Sequence, residues 1–235
     1  MSKRLKAILF DIDDTLFDRE AAQKLSLEFT VQKFLPLLGV FSKEKLKQAW
    51  EESDLMTVVE FNARAFDRNS RSRHFLKLLG LSQDQADELT QLYIEKYPTL
   101  NVPVVGAIEL IHELKDRVKM GVISNSLPDV QYGKLKTLGV KDIMACIVLS
   151  EEYGIRKPDP RVFQYAAQLL EVETSECLFV GDSFATDIMG AKSAGMLACW
   201  LKRGKPINET NTTADFVINE LSQILPNLKQ TGLLD

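Results

Sequence analysis

The sequence predicts an α/β protein: a three-layer core built on a parallel sheet, with an all-helical domain inserted into it. Three observations predict this. Short runs rich in Ile, Val and Leu recur along the chain and alternate with helix-like segments in its second half, as in parallel sheets covered by helices on both faces. The interval from about residue 18 to 102 shows helical periodicity and no convincing strand, and it is too long for a loop. Acids, hydroxyls and a lysine stand just beyond the apolar runs, at the edge where open parallel sheets carry their functional crevice.

Taken in order, AILF (7–10) is the first strand. AAQKLSLEFTVQKFLPLL, SKEKLKQAWEE, HFLKLLG and SQDQADELTQLYIEKY follow as helices, with Gly39, Gly80 and Pro98 as stop signals. GVIS (121–124), CIVLS (146–150), CLFVG (177–181) and MLACWL (196–201) are the next strands, and FVI (216–218) adds a last one. AIELIHELKD (107–116), VFQYAAQLLEV (162–172) and DIMGAKSAG (187–195) carry apolar residues at three- and four-residue steps and are the expected crossover helices. The expected division is a discontinuous core, residues 1–17 and 103–235, and a helical domain, residues 18–102, with its own small core. The crossings near Asp18 and between Val102 and Gly106 are candidate hinges.

With 45% hydrophobic and 26% charged residues among 235, the chain has the make-up of a globular protein able to bury a sizeable core. A formal net charge of -4 gives no broad basic field, so nucleic acid is not an expected partner. No 18-residue apolar span occurs, so no membrane partner is expected, and MSKRLKAILFD lacks the long apolar stretch of a signal peptide. Cys146, Cys177 and Cys199 show no CxxC spacing, and two of them fall within apolar runs, which suits a reducing cytoplasm. Asn208 and Asn211 match a glycosylation acceptor pattern that carries no meaning without secretion. A cytoplasmic monomer or homodimer is the expectation.

The segment ILFDIDDTLFD runs from an apolar strand into Asp11, Asp13, Asp14 and Asp18. Neighbouring carboxylates repel and resist ionising together, so this is either a solvated turn or a site whose acids have a partner such as a metal ion. Later strand ends bring more chemistry: Ser124 and Asn125 after the second, Lys157 in GIRKPDP ahead of a helix after the third, and Asp182 with Asp187 in GDSFATD after the fourth.

DIDDT, VISNS, RKPDP and GDSFATD stand in the order of the four motifs of the haloacid dehalogenase superfamily, which the chain resembles over residues 7–20 and 103–201. The resemblance is to members with a helical cap of the first type, inserted just after the first motif, and it implies a Rossmann-like core. It further implies an aspartyl-phosphate formed on Asp11, with Asp13 protonating the leaving alcohol and then activating water. Thr15, Ser124, Asn125 and Lys157 are implied phosphate contacts, and Mg²⁺ is implied near Asp11, Asp13, Asp182 and Asp187. Physical chemistry agrees with that scheme. A phosphate dianion repels an attacking carboxylate, and a hard divalent cation with oxygen ligands offsets the repulsion. The nucleophile must be ionised while the acid carries a proton, and with the charge of Asp11 held by Mg²⁺ and Asp13 farther from the metal, their environments can separate the two pKa values. Taken alone, Ser124 and Lys157 also read as a strand-end hydroxyl and a surface lysine, and Asp187 as an acid favoured by a helix N-terminus.

Dehalogenating relatives lack the second acid of the first motif; Asp13 and Thr15 therefore favour phosphoryl transfer. Mutase relatives commonly carry Gly where this chain has Asp14. A signalling receiver domain also uses an Mg²⁺-bound aspartyl-phosphate, but it is shorter and has no cap. The stretches SEEYGIRKPDPRVF and GAKSAGMLACWL resemble pyrimidine 5'-nucleotidase-like phosphatases. The expected partner is a small phosphorylated metabolite, a nucleoside monophosphate first and a sugar phosphate or phosphoglycolate second. In the cap, Arg64, Arg68, Arg71 and Arg73 either hold an acidic leaving group or form a solvated face. Trp50, Phe61, Phe66 and Tyr97 either stack on a base or form cap core.

Overall fold

The computed structural model describes residues 4–63, 67–204 and 213–235, so Arg64, Phe66, Asn208 and Asn211 lie outside the described residues. Strand β1 (Ala7–Phe10) is followed by helices α1 (Arg19–Lys33), α2 (Leu35–Leu38), α3 (Lys43–Asn62), α4 (Ser70–Leu78) and α5 (Ala86–Lys96). Then come α6 (Ala107–Leu114), β2 (Lys119–Ser124), α7 (Pro128–Thr137), β3 (Cys146–Leu149), α8 (Ser150–Tyr153) and α9 (Pro160–Leu169). The chain ends with β4 (Cys177–Gly181), α10 (Met189–Ser193), β5 (Leu197–Leu201), β6 (Phe216–Ile218) and α11 (Ile224–Gln230). All six predicted strands are present. Ser150, expected at the end of the third, instead opens α8. Helix α7 is an addition to the expected helices.

The strands form one parallel sheet in the order β3-β2-β1-β4-β5-β6. The chain builds outward from β1 through β2 to β3, then restarts on the other side with β4, so the strand order reverses between β1 and β4. All four residues of β1 are fully buried, which is why its sequence is a continuous apolar run rather than an alternating one. Ala7, Leu9 and Phe179 pack with Val162, Phe163 and Ala166 of α9 and Ala191 of α10. Ile8, Phe10, Leu178 and Val180, also fully buried, point to the opposite side because successive strand residues alternate.

The chain divides into two compact units, residues 1–19 with 101–235 and residues 20–100. At the boundary of the first unit the outgoing and returning segments run side by side. The Asp18 amide donates to the Val102 carbonyl at 2.8 Å, and the Val104 amide donates to the Leu16 carbonyl at 2.9 Å.

The helical unit has its own core of Phe34, Leu38, Leu46, Trp50, Phe75, Leu76 and Leu89. The Ser42 hydroxyl accepts from the Lys45 amide at 3.2 Å and caps α3. Gly80, at φ 73°, ends α4 in a conformation that favours glycine. Two ambiguities of the sequence are resolved here. Trp50 is part of that core, and Tyr97 is buried and stacks on Tyr93 at 4.6 Å between ring centroids. Arg71 belongs there too: its guanidinium lies 4.2 Å from the Trp50 ring centroid and 4.9 Å from that of Tyr93. It donates to Gln23 Oε1 at 2.6 Å, and that oxygen also accepts from the Trp50 indole at 3.0 Å. Arg73 pairs with Asp67.

Phe163 is fully buried and meets Phe179 edge-on at 5.0 Å between centroids. Phe163→Ala should cost about 3–5 kcal/mol in chemical denaturation. Leu35→Ala, at a side chain 59% exposed, should stay within about 0.5 kcal/mol.

Candidate active site

The first unit gathers its acids where the strand order reverses, the usual place for a ligand in an open α/β sheet. Asp11 directly follows β1, and its amide donates to the Val180 carbonyl of β4 at 2.9 Å. Asp182 directly follows β4, and its carbonyl is held by the Trp200 indole from β5 at 3.0 Å. Beyond it, Phe184–Ile188 form one turn of π-helix, a feature often found at functional sites. That turn brings Asp187 back, so that its carboxylate accepts from the Ser183 amide at 3.0 Å. The returning carboxylate lies over Gly181, where even a Cβ atom would collide with it. Lys157 arrives from the segment before α9. The Asn125 side chain holds it by a reciprocal pair, donating to the Lys157 carbonyl at 2.8 Å and accepting from its amide at 2.9 Å. A cavity of about 190 Å³ results, lined by Asp11, Asp13, Ser124, Lys157, Asp182 and Asp187 together with Asp14, Asn125, Ser126, Ser183 and Thr186.

The Lys157 ammonium lies 2.5 Å from Asp11 Oδ1 and 2.7 Å from Asp187 Oδ1. Burial disfavours its charge, but Asp11 and Asp187 outweigh that, and the ammonium is held above its ordinary pKa. Asp11 is pushed well above the usual carboxylate range, first by burial and then by Asp187, Asp182 and Asp13, with Lys157 opposing. One carboxylate oxygen each of Asp11, Asp182 and Asp187 lies within 4.8 Å of the others. These three neighbouring carboxylates form an all-oxygen donor set, which suits a hard divalent cation. The three cysteines are buried, and burial pushes their thiols up to about 12.

Asp13 has a different environment. Its Oδ1 accepts from Lys134 Nζ at 2.5 Å and its Oδ2 from Gln131 Nε2 at 2.7 Å, both from α7. Burial alone would raise its pKa, but Lys134 dominates and holds the carboxyl below its ordinary value. The two acids of the first motif are thus driven in opposite directions, Asp11 upward by burial and like charge and Asp13 downward by Lys134.

A family model for haloacid dehalogenase-like hydrolases matches residues 5–195. The chain belongs to that family. This hydrolase is 27% identical over 225 residues to pyrimidine 5'-nucleotidase YjjG of Escherichia coli K12, covering 93% of this chain and 96% of the relative. It is 29% identical over 239 residues to a glyceraldehyde 3-phosphate phosphatase of Pyrococcus furiosus, covering 97% and 95% of the two chains. Its fold matches the solved structure of HAD-hydrolase YfnB from Bacillus subtilis with a TM-score of 0.81 at 24% identity, over 96% of this chain and 99% of that one.

Of the residues singled out in the sequence of this hydrolase, Asp11, Asp13, Ser124, Asn125, Lys157, Asp182 and Asp187 all line the cavity. Thr15 does not: it is fully buried, and its hydroxyl has no hydrogen-bond partner among the described residues. Asp13 stands outside the acid cluster, because Lys134 and Gln131 occupy both of its carboxylate oxygens. Asp14 and Asp18 are bound by Arg203, at 2.9 and 2.5 Å. Asp14 has φ 57°, a conformation Gly adopts freely and Asp tolerates. No local sequence pattern marks Gln131, Lys134 or Arg203, nor Ser183 and Thr186, which line the cavity. Among the described residues, no helix is long and apolar enough to cross a membrane.

Gly181→Ala should displace Asp187 and lower turnover on any active substrate by about tenfold or more, since ångström-scale misplacement is costly in catalysis. Circular dichroism should show the fold retained.

Proposed function

We propose that this hydrolase cleaves phosphate monoesters of small metabolites, with Asp11 as nucleophile and Mg²⁺ as cofactor. The observation that carries the reading is the placement of Asp11, at the strand reversal, against the buried Lys157 and within the cluster it forms with Asp182 and Asp187. Those three carboxylates would hold the cation. When bound, Mg²⁺ neutralises negative charge on phosphate and carboxylate and favours in-line geometry.

The chain's own groups have the following parts. An Asp11 carboxylate oxygen attacks phosphorus as the bond to the leaving oxygen breaks, and Lys157 balances charge on both. Ser124 Oγ accepts from Gln131 Nε2 at 3.1 Å, which leaves its own proton free to donate to a phosphoryl oxygen. Asp13 protonates the leaving oxygen. The incoming phosphate dianion favours that protonated form against the pull of Lys134, because nearby negative charge raises a carboxyl pKa. Once the alcohol has left with the proton, Asp13 is again the carboxylate that its ion pair with Lys134 favours, ready to take a proton from water. General acid and base help of this kind is worth about 10² to 10⁴ in rate. Asn125 contributes by fixing the Lys157 backbone.

For the substrate, the core motifs and the likeness to a curated pyrimidine 5'-nucleotidase over nearly the whole chain support a nucleoside monophosphate. The comparable likeness to a glyceraldehyde 3-phosphate phosphatase supports a sugar or triose phosphate as the second reading.

Phosphate release should be measured on nucleoside 5'-monophosphates, sugar and triose phosphates and p-nitrophenyl phosphate, with Mg²⁺ and with chelator. Release should require Mg²⁺ and favour nucleotides, and Asp11→Asn should abolish it in a folded protein. Activity retained in chelator would overturn the cofactor, and activity retained by Asp11→Asn would overturn the nucleophile.

A further inference from the structure

Helix α7 sends two polar residues inward. Gln131 is fully buried and Lys134 is 2% exposed. A helix normally fills such positions with apolar side chains, and Val130 and Leu135 of the same helix are buried as well. The two polar side chains converge on one target. Lys134 Nζ takes one oxygen of Asp13 at 2.5 Å, and Gln131 Nε2 takes the other at 2.7 Å while also reaching Ser124 Oγ at 3.1 Å. Lys134 is further located by the Phe17 ring, whose centroid lies 4.7 Å from its Nζ.

Stability does not explain this arrangement. Gln131 Oε1 is buried with no hydrogen-bond partner among the described residues, and an unpaired buried acceptor is destabilising. A buried Lys–Asp pair is often no better for stability than apolar residues of the same volume. The amide orientation is instead the one that gives the Asp13 carboxylate a donor.

We propose that Gln131 and Lys134 are positioning residues that fix the Asp13 carboxylate for the second half of the reaction. The inference rests on the proposed roles of Asp11 and Asp13. In that half, the oxygen of a water bonds to phosphorus and its proton passes to Asp13. The bond from phosphorus to Asp11 breaks, and Asp11 keeps the electron pair as a carboxylate. An Asp13 free to turn away would leave the water without an acceptor, and the phosphorylated enzyme would accumulate. Bridging through Gln131 ties the same carboxylate to Ser124, so the base and a phosphate contact keep a common geometry.

The test uses Lys134→Met and Gln131→Leu in the full chain with p-nitrophenyl phosphate, whose good leaving group needs no acid. Slowing only the second half lowers kcat and KM together: kcat should fall about 10- to 100-fold while kcat/KM stays within about threefold. A burst of p-nitrophenol and trapped phosphoenzyme should appear, as they should in Asp13→Asn, and Lys134→Arg should restore part of kcat. A loss of kcat/KM with KM unchanged and no burst, the mark of a merely structural role, would overturn the proposal, as would unchanged kinetics in both variants. If Asp13→Asn accumulates phosphoenzyme and the α7 variants do not, the positioning role fails alone. If neither does, or if the unaltered enzyme releases no p-nitrophenol, the underlying reading fails with it.

Discussion

The Lys157 ammonium, buried between Asp11 and Asp187 where the strand order reverses, is the contact around which the site is organised. A buried charge is tolerable only when paired and hydrogen-bonded, so each partner must be delivered with little freedom. Asp11 comes on the end of a central strand whose every residue is buried. Asp187 comes on a π turn that folds it back over Gly181, where no larger residue fits. Lys157 comes on a loop whose backbone is gripped by Asn125. Three segments distant in sequence therefore depend on one ammonium, and the excess of carboxylate around it is what makes a divalent cation a fitting complement.

The same economy of position separates the two acids of the first motif. Asp11 and Asp13 stand two residues apart on one loop, yet one faces the crowded acids and the other faces α7. Burial and like charge raise the first, while Lys134 lowers the second. A tight turn suffices to give two carboxylates different chemistry, provided that different elements of the fold supply their neighbours.

How much of this was legible depended on whether the signal was local. Fully buried parallel strands are written as unbroken apolar runs, so AILF and CLFVG were readable directly, and the acids after them followed from sheet topology. Helix α7 was not readable, because the face it buries includes Gln131 and Lys134, which erases the apolar periodicity that marks a helix. The hidden helix and the hidden residues thus have one cause. Arg203 was invisible for another reason: it meets Asp14 and Asp18 across more than 180 residues of chain, and no local pattern records such a pairing. For Arg71 the sequence offered a ligand site or a solvated face, and the structure shows a third arrangement, a guanidinium packed between Trp50 and Tyr93 inside the helical unit.

The central claim is that phosphate passes through a covalent bond to Asp11. Its most direct test is to quench turnover of a radiolabelled phosphomonoester in acid and map the label after proteolysis. The account predicts acid-stable, base-labile label on the peptide containing ILFDIDDTLFD, located at Asp11. Label at another residue, or continued phosphate release with no covalent label at any quench time, would contradict it.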